Sequence, residues 1–386
     1  MRIFKHPQFL FMKYKLIALS ISVVIIAAAL FNITAGKGIN QGIDFAGGTL
    51  VRLMFSEDIS ISELRDALSN AGLGDSRIQE VAKSKREYMI RSMGLGLVEE
   101  GEEDLEAHEI IGTQVVTALR GPDEAAAIKE GKKDLNQVDE TELTFMLEEY
   151  FAERANELAK HVISFRVNNM IIQNYDQLVE EGGLDSDIIS PLQEKTFLSR
   201  LVVLSKESVG ALVGRDLRRK ATQATIWALI GMLIYIGIRF RFAFGVAALV
   251  TLGHDILITL GILSFTQREM NLPVIAAILT IVGYSLNDTI VIFDRVRDNV
   301  KRMRKDAFGA ILDTSINQTL SRTVITSGTT LLTVLALFLF GGPVINDFAF
   351  TMIIGVIVGT YSSVFISCTF IFFWTKYFKP KKSMFK

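Results

Sequence analysis

Six stretches of this chain are apolar for long enough to cross a bilayer, and one of them carries charge in its interior. A helix needs roughly 20 mostly apolar residues to span the hydrocarbon core. Residues 16–35, 221–238, 242–265, 273–293, 323–340 and 348–375 meet that requirement. The last is long enough to tilt or to extend past the bilayer. The fourth reads TIVGYSLNDTIVIFDRVR from Thr280 and places Asn287 and Asp288 well inside an apolar run. A purely lipid-facing span carries no charge near its middle, so this run is expected to face a bundle interior or a wet cavity.

Six spans put both termini on one side. Lys13 and Lys15 precede the first run like the n-region of a signal peptide, but the run is long for an h-region and no small-residue cleavage site follows. It reads as an uncleaved anchor. Basic residues are retained on the cytoplasmic side, and here they form one consistent set. Arg2, Lys5, Lys13 and Lys15 precede the first span; Arg239 and Arg241 join the second to the third; Arg295, Arg297, Lys301, Arg302, Arg304 and Lys305 follow the fourth; Lys376, Lys379, Lys381 and Lys382 close the chain. The opposite short loops, 267–272 and 341–347, are nearly free of Lys and Arg. The expectation is a multi-pass protein of the cytoplasmic (inner) membrane with both termini cytoplasmic and residues 37–220 extracytoplasmic. Arg215, Arg218, Arg219 and Lys220 run against the rule, which long translocated domains tolerate.

The formal net charge is −1 over 386 residues, so bulk composition gives no indication of a nucleic-acid partner. The distribution is uneven. Residues 36–220 hold 22 basic and 34 acidic side chains, leaving 19 basic and 8 acidic elsewhere. An acidic soluble part is thus joined to a basic apolar part. The only cysteine, Cys368, rules out an intrachain disulfide and a thiol zinc cluster, and reads as packing.

The chain divides into 1–36, an N-terminal tail and first span; 37–220, an α+β domain with an extended insert at about 98–195; and 221–386, the remaining spans and a basic tail. GGTLVRLMF from Gly47, REYMIRSM from Arg86 and TFLSRLVVLS from Thr196 read as strands. SISELRDALSNAGLG reads as a helix with Ser60 as N-cap, Glu63 as its partner and Gly72 as the stop. Helical patterns are expected over about 105–119 and 141–162, the first opening with the acidic run EEGEEDLE, a solvated face. Strand, helix, strand, helix, strand suggests an α+β sandwich of the split βαβ kind.

Asp288 lies seven residues before Arg295, roughly 10 Å inside the boundary at 1.5 Å per residue. Tyr284, Asn287, Asp288 and Asp294 are spaced to share a broad polar stripe. His254 and Asp255 lie mid-way along the third span, but adjacent residues point about 100° apart on a helix and are not expected to face one partner. Arg322 opens the fifth span, followed by Thr323, Thr326, Ser327, Thr329 and Thr330. If the approach ILDTSINQTLSR is helical, Arg322 reaches a depth like that of Asp288. An aspartate opposite an arginine in a poorly solvated bundle is pulled two ways, burial favouring the neutral form and the cation the charged one. Structural readings stand beside this: a buried ion pair for Asp288, a helix end at the interface for Arg322, a cytoplasmic boundary for Asp294. GIDFAGGT, residues 42–49, lacks the Gly-Lys-Ser/Thr of a phosphate loop and reads as a tight turn where the first span meets the domain. No Ser-His-Asp order, HExxH or metal-ligand spacing is present, so no catalytic residue, cofactor or metal is assigned.

GIDFAGGT, LIGMLIYIGIRFRFAFG, LGHDILITLGI, VGYSLNDTIVIFDRVRDN and SRTVITSGTT, in this order, resemble the SecF family, the smaller membrane subunits of the SecD-SecF accessory complex of the bacterial Sec translocase. The resemblance implies a polytopic α-helical membrane protein whose six transmembrane helices form an RND-like half, with a ferredoxin-like extracytoplasmic α+β domain. It implies SecD, the channel subunits SecY, SecE and SecG, YajC, membrane lipid and a translocating polypeptide as partners. It also implies use of the proton-motive force, with Asp288 and Arg322 on the proton path; the residue pattern itself adds Asn287, Asp255 and Tyr284 as proton-path candidates. The soluble domain looks longer than is usual in the family. An RND-type small-molecule transporter subunit and a non-energised scaffold are the competing expectations.

Overall fold

The computed structural model describes residues 7–81, 86–92, 103–239 and 242–377. Arg2, Lys5, Arg241, Lys379, Lys381, Lys382 and the first four residues of the acidic run lie outside the described residues. In chain order the helices are α1 (Lys15–Thr34), α2 (Ile43–Ala46), α3 (Ile61–Asn70), α4 (Glu103–Leu119), α5 (Pro122–Lys129), α6 (Glu140–Phe151), α7 (Ala155–Asn169), α8 (Gln177–Glu180), α9 (Ile189–Lys195), α10 (Ala211–Arg239), α11 (Phe242–Thr266), α12 (Leu272–Arg302), α13 (Phe308–Phe340) and α14 (Gly342–Tyr377). The strands are β1 (Gly48–Phe55), β2 (Arg77–Glu80), β3 (Glu87–Ser92), β4 (Lys133–Asp134), β5 (Thr196–Phe197) and β6 (Leu201–Val209). Two compact units result, one built from the chain up to Phe45 and from Asp216 onward, the other from Ala46–Arg215.

Among the described residues six helices are long and apolar enough to cross a membrane, α1 and α10 to α14, and all but the first turn of α10 belongs to the first unit. Four of them outrun their apolar segments, α14 by starting at Gly342. α10 begins at Ala211, and its polar turn is laced by Asp216 to Arg219 at 3.2 Å and to Lys220 at 2.8 Å. α12 continues to Arg302, and α13 starts at Phe308, so the ILDTSINQTLSR approach is helical and continuous with the span. That approach is amphipathic: Ile311, Leu312, Ser315 and Ile316 are buried, and Ser315 accepts from Asn299 Nδ2 of α12 at 2.9 Å. The core joins Phe244 and Ala248 of α11, Leu286 and Phe293 of α12, Ile316 of α13, and Val364 and fully buried Cys368 of α14. Small residues bring α12 and α14 together, since a Cβ on Gly359 would meet Ser285 Cβ at 3.1 Å.

The second unit carries a four-stranded sheet in the order β2-β3-β1-β6, every neighbouring pair antiparallel. Its chain order, β1-α3-β2-β3-α4-β6, is the split βαβ arrangement. Val51, Leu53 and Phe55 alternate inward from β1 against Leu64 and Leu68 of α3 and Val115 and Leu119 of α4. Ser60 Oγ accepts from the Glu63 amide at 3.2 Å, and Gly72 takes φ +79° after α3, so both ends of that helix follow their sequence signals. The short strand β2 lies in a polar stretch with no apolar alternation and is not expected from the sequence. Two expectations are corrected. The single strand expected from Thr196 is two, β5 pairing parallel with β4 and β6 antiparallel with β1. The helix expected over 141–162 breaks at Ala152, φ +39°, into α6 and α7. Those helices pack with Leu135, Leu178, Ile188 and Leu192 into a separate core.

Candidate functional site: two carboxylates within the helical bundle

Asn271 begins α12 by accepting the Val274 amide on Oδ1 at 3.0 Å, with Pro273 in the first turn. From there Ile281, Ser285, Asp288 and Ile292 recur at helical spacing along the buried seam. Periodicity thus carries Asp288 into the bundle, where it is 2% exposed. Its support is thin: Ser327 Oγ of α13 donates to Oδ2 at 3.5 Å, and Thr360 Oγ1 of α14 donates to Ser327 Oγ at 2.8 Å. Among the described residues no cation closes an ion pair with Asp288.

Asp255 of α11, 1% exposed, is held quite differently. Its Oδ2 accepts from Ser285 Oγ of α12 at 2.5 Å and from Ser362 Oγ of α14 at 2.9 Å. Its Oδ1 lies 2.9 Å from His254 Nδ1. The network continues outward: His254 Nε2 is 2.9 Å from Ser22 Oγ of α1, Ser22 is 3.2 Å from Tyr361 OH, and Tyr361 donates to the Ala18 carbonyl at 2.8 Å. His254 and Asp255 face different partners, as expected of adjacent residues on a helix: the imidazole reaches Ser22 of α1, and the carboxylate reaches Ser285 of α12 and Ser362 of α14. The two side chains also touch each other, through the Nδ1 to Oδ1 contact.

The other sequence candidates separate. The Tyr284 hydroxyl is buried and makes no hydrogen bond. Asn287 is exposed, although Asp288 beside it is buried, so the four residues do not form one stripe. Arg322 is exposed at its place on α13 and lies within electrostatic reach of Asp288 without pairing to it. Sequence reasoning named Ser327 only as one of several hydroxyls and missed Ser22, Ser285, Thr360, Tyr361 and Ser362. The clustered GTYSSVFIS of α14 was the available signal.

The family model described as protein export membrane protein SecD/SecF, C-terminal, matches residues 191–377, and the SecD/SecF GG motif matches residues 33–59. A protein translocase subunit SecF from Koribacter versatilis is 34% identical over an alignment of 382 residues, covering 95% of this chain and 92% of that protein. The chain belongs to the SecF family. A second SecF, from Desulfurispirillum indicum, is 37% identical and covers 96% of this chain and 93% of its own. The crystal structure of SecDF from Thermus thermophilus, a translocon-associated membrane protein, superposes with a TM-score of 0.65 at 29% identity over 96% of this chain. This chain spans 39% of that larger one. The SecF helices and small sheet are therefore the polytopic membrane fold with an α+β domain expected from sequence. Both carboxylates, Arg322 and the hydroxyls that support them lie in the stretch matched by the SecD/SecF model.

Proposed function

We propose that the chain is a subunit of the Sec protein-export machinery that works with a SecD partner, using the proton-motive force to promote late steps of polypeptide translocation across the cytoplasmic membrane. One observation carries the reading: of two buried carboxylates, Asp255 has three polar partners and Asp288 only one, at 3.5 Å. A buried ionisable group that is fully satisfied is structural; one left short of partners is the one whose charge can change as its surroundings change. Asp288 is the proton-carrying residue. Arg322, Asn287 and Tyr284 shape its surroundings, and Asp255 braces the helices on which it sits.

Partner and orientation follow the same physics. α12 exposes Thr280 and Asn287, and α13 exposes Arg322 and Thr329, each pair two turns apart on its helix. The two threonine hydroxyls bond back to their own helices, at the Ala276 and Ile325 carbonyls, but Asn287 and Arg322 on the same faces are expensive against hydrocarbon, which supports burial against a second bundle, that of SecD. Both termini are assigned to the cytoplasm and residues 37–220 to the outer side, where the emerging polypeptide is. Arg268, the one arginine in the outer loop at 267–272, fits this side because Asp347 neutralises it at 2.5 Å. SecY, SecE, SecG and YajC are the assigned neighbours, and the work is conformational rather than covalent.

Across 100 mV one charge yields about 2.3 kcal/mol, a bias of roughly fiftyfold, which suits directionality better than forced unfolding. Membrane vesicles carrying Asp288→Asn are expected to export a preprotein at the rate wild type shows when its gradient is collapsed. Equal stimulation of both by the gradient would leave only a non-energised scaffold.

A further inference from the structure

The segment between α1 and β1 carries the start of the GIDFAGGT motif, which runs into β1, and the structure gives that motif a task. Residues 38–45 are bolted to the connection between α11 and α12. The Met270 amide donates to the Asn40 carbonyl at 2.7 Å, and the Gly42 amide donates to the Met270 carbonyl at 2.8 Å. Asn40 Nδ2 donates to the Gln267 carbonyl at 2.9 Å, and Ser264 Oγ to the Gly38 carbonyl at 2.6 Å. Phe45 packs among Leu263, Met270, Val274 and Ile278. Asp44 Oδ2 accepts the Leu272 amide at 2.8 Å. Leu272 is the first residue of α12, so its amide is one of the donors a helix leaves unpaired at its start. Asn271 satisfies the Val274 amide, and Asp44, from a distant part of the chain, satisfies this one.

The clasp is followed at once by the residues that enter the soluble unit. Gly47 and Gly48 take φ +72° and +113°, conformations that only glycine adopts without strain, and β1 starts at Gly48. A Cβ on Gly47 would meet Ala211, the first residue of α10, at 3.1 Å. A rigid clasp on α12 and a glycine pair directly after it make a grip and a hinge.

We infer that Asp44 is a positioning residue: its carboxylate locks the start of α12, the helix that carries Asp288, to the chain entering β1, so that displacement of α12 is delivered to the soluble unit. This rests on the reading that Asp288 changes protonation. A loose connection at this point would let α12 move while β1 stayed where it was. With the cap in place, the Gly42 to Phe45 backbone travels with the helix and the strain appears at Gly47 and Gly48.

Amide hydrogen exchange of the full chain in lipid nanodiscs tests this. In the otherwise native chain, Asp288→Asn is expected to change exchange in α12 and in Thr49–Leu53 of β1. In an Asp44→Ala background the first turn of α12 exchanges about fivefold faster, the factor for one lost cap. There the α12 response to Asp288→Asn persists and the β1 response disappears. Asp44→Asn, which keeps an acceptor oxygen, retains both responses. Gly42→Ala, whose added Cβ would press on the Met270 carbonyl at 3.0 Å, is expected to repeat the Asp44→Ala result and replaces it if that variant does not accumulate. A β1 response that survives both substitutions overturns the coupling alone, and its loss in Asp44→Asn overturns the cap as the lock. No exchange change in α12 from Asp288→Asn overturns the protonation reading and the coupling with it.

Discussion

Asp255 and Asp288 are the same side chain at similar burial, and the groups around them make them different. Removing the Asp255 carboxylate strands His254 Nδ1 and the Ser285 and Ser362 hydroxyls without their acceptor in a site where water is scarce. Asp255→Ala is therefore expected to lower stability by about 3 kcal/mol, read as a clear drop in the thermal midpoint in detergent. Asp288→Asn, which disturbs one long hydrogen bond, is expected to leave that midpoint nearly unchanged while export falls. The carboxylates themselves were legible because a charge within an apolar run stands out. Their donors were not, because serine and threonine in helices commonly bond to their own backbone, as Thr251 does to Ala247 at 2.8 Å, and sequence does not separate those from Ser285 or Ser362. Exposure was also illegible: Asn287 and Arg322 lie in or beside apolar runs, and only the packing shows that they point out of this bundle.

Among the elements, hydropathy located all six long helices but not their ends. α12 and α13 continue through polar turns because an amphipathic extension keeps its backbone bonds and buries one face, as Val296 and Val300 of α12 and Ile311, Leu312 and Ile316 of α13 do; the polar start of α10 leaves Leu212 and Val213 exposed and is laced by Asp216 instead. In the soluble unit the break at exposed Ala152 escaped because alanine is a strong helix former and nothing in its sequence context marks a positive φ. Asn136, 2% exposed, is a hub of the second core: it donates to the carbonyls of Ile172 and Ser199 at 3.0 and 3.3 Å and accepts from the Ile172 amide at 2.8 Å. Beside it, burial pushes the Asp134 carboxyl above its usual range, against donors from Ser199 and Asn136 and the charge of Arg120. Burial raises Glu124 likewise, against the Arg200 amide and charge. The folded unit thus keeps these protons at pH values where the unfolded chain has lost them. Stability contributed by the two groups is greatest in mild acid and is lost as pH rises through their folded values. Exchange protection of the second core, at Leu143 and Val162, is accordingly expected to rise as pH falls from neutrality toward the ordinary carboxylate range, and Asp134→Asn is expected to flatten that slope.

At the scale of the whole molecule, a bundle that opens Asn287 and Arg322 to its surroundings is half of something. Cys368 is fully buried, so single cysteines introduced on the surface report cleanly. Cysteines at Thr280 and Thr329 are expected to cross-link to the SecD partner in native membranes, while one at Trp227, on the exposed apolar face of α10, is expected to remain open to lipid-soluble reagents. Equal reagent access at all three would remove the case for a second bundle on that face. Every larger motion assigned to the chain depends on a proton arriving at and leaving one side chain. Infrared difference spectroscopy of the protein in lipid, taken between mildly acidic and mildly alkaline buffer, reads that event directly. The account predicts a protonated-carboxyl band that comes and goes with pH and is missing from Asp288→Asn. Identical difference spectra from the two proteins would contradict it.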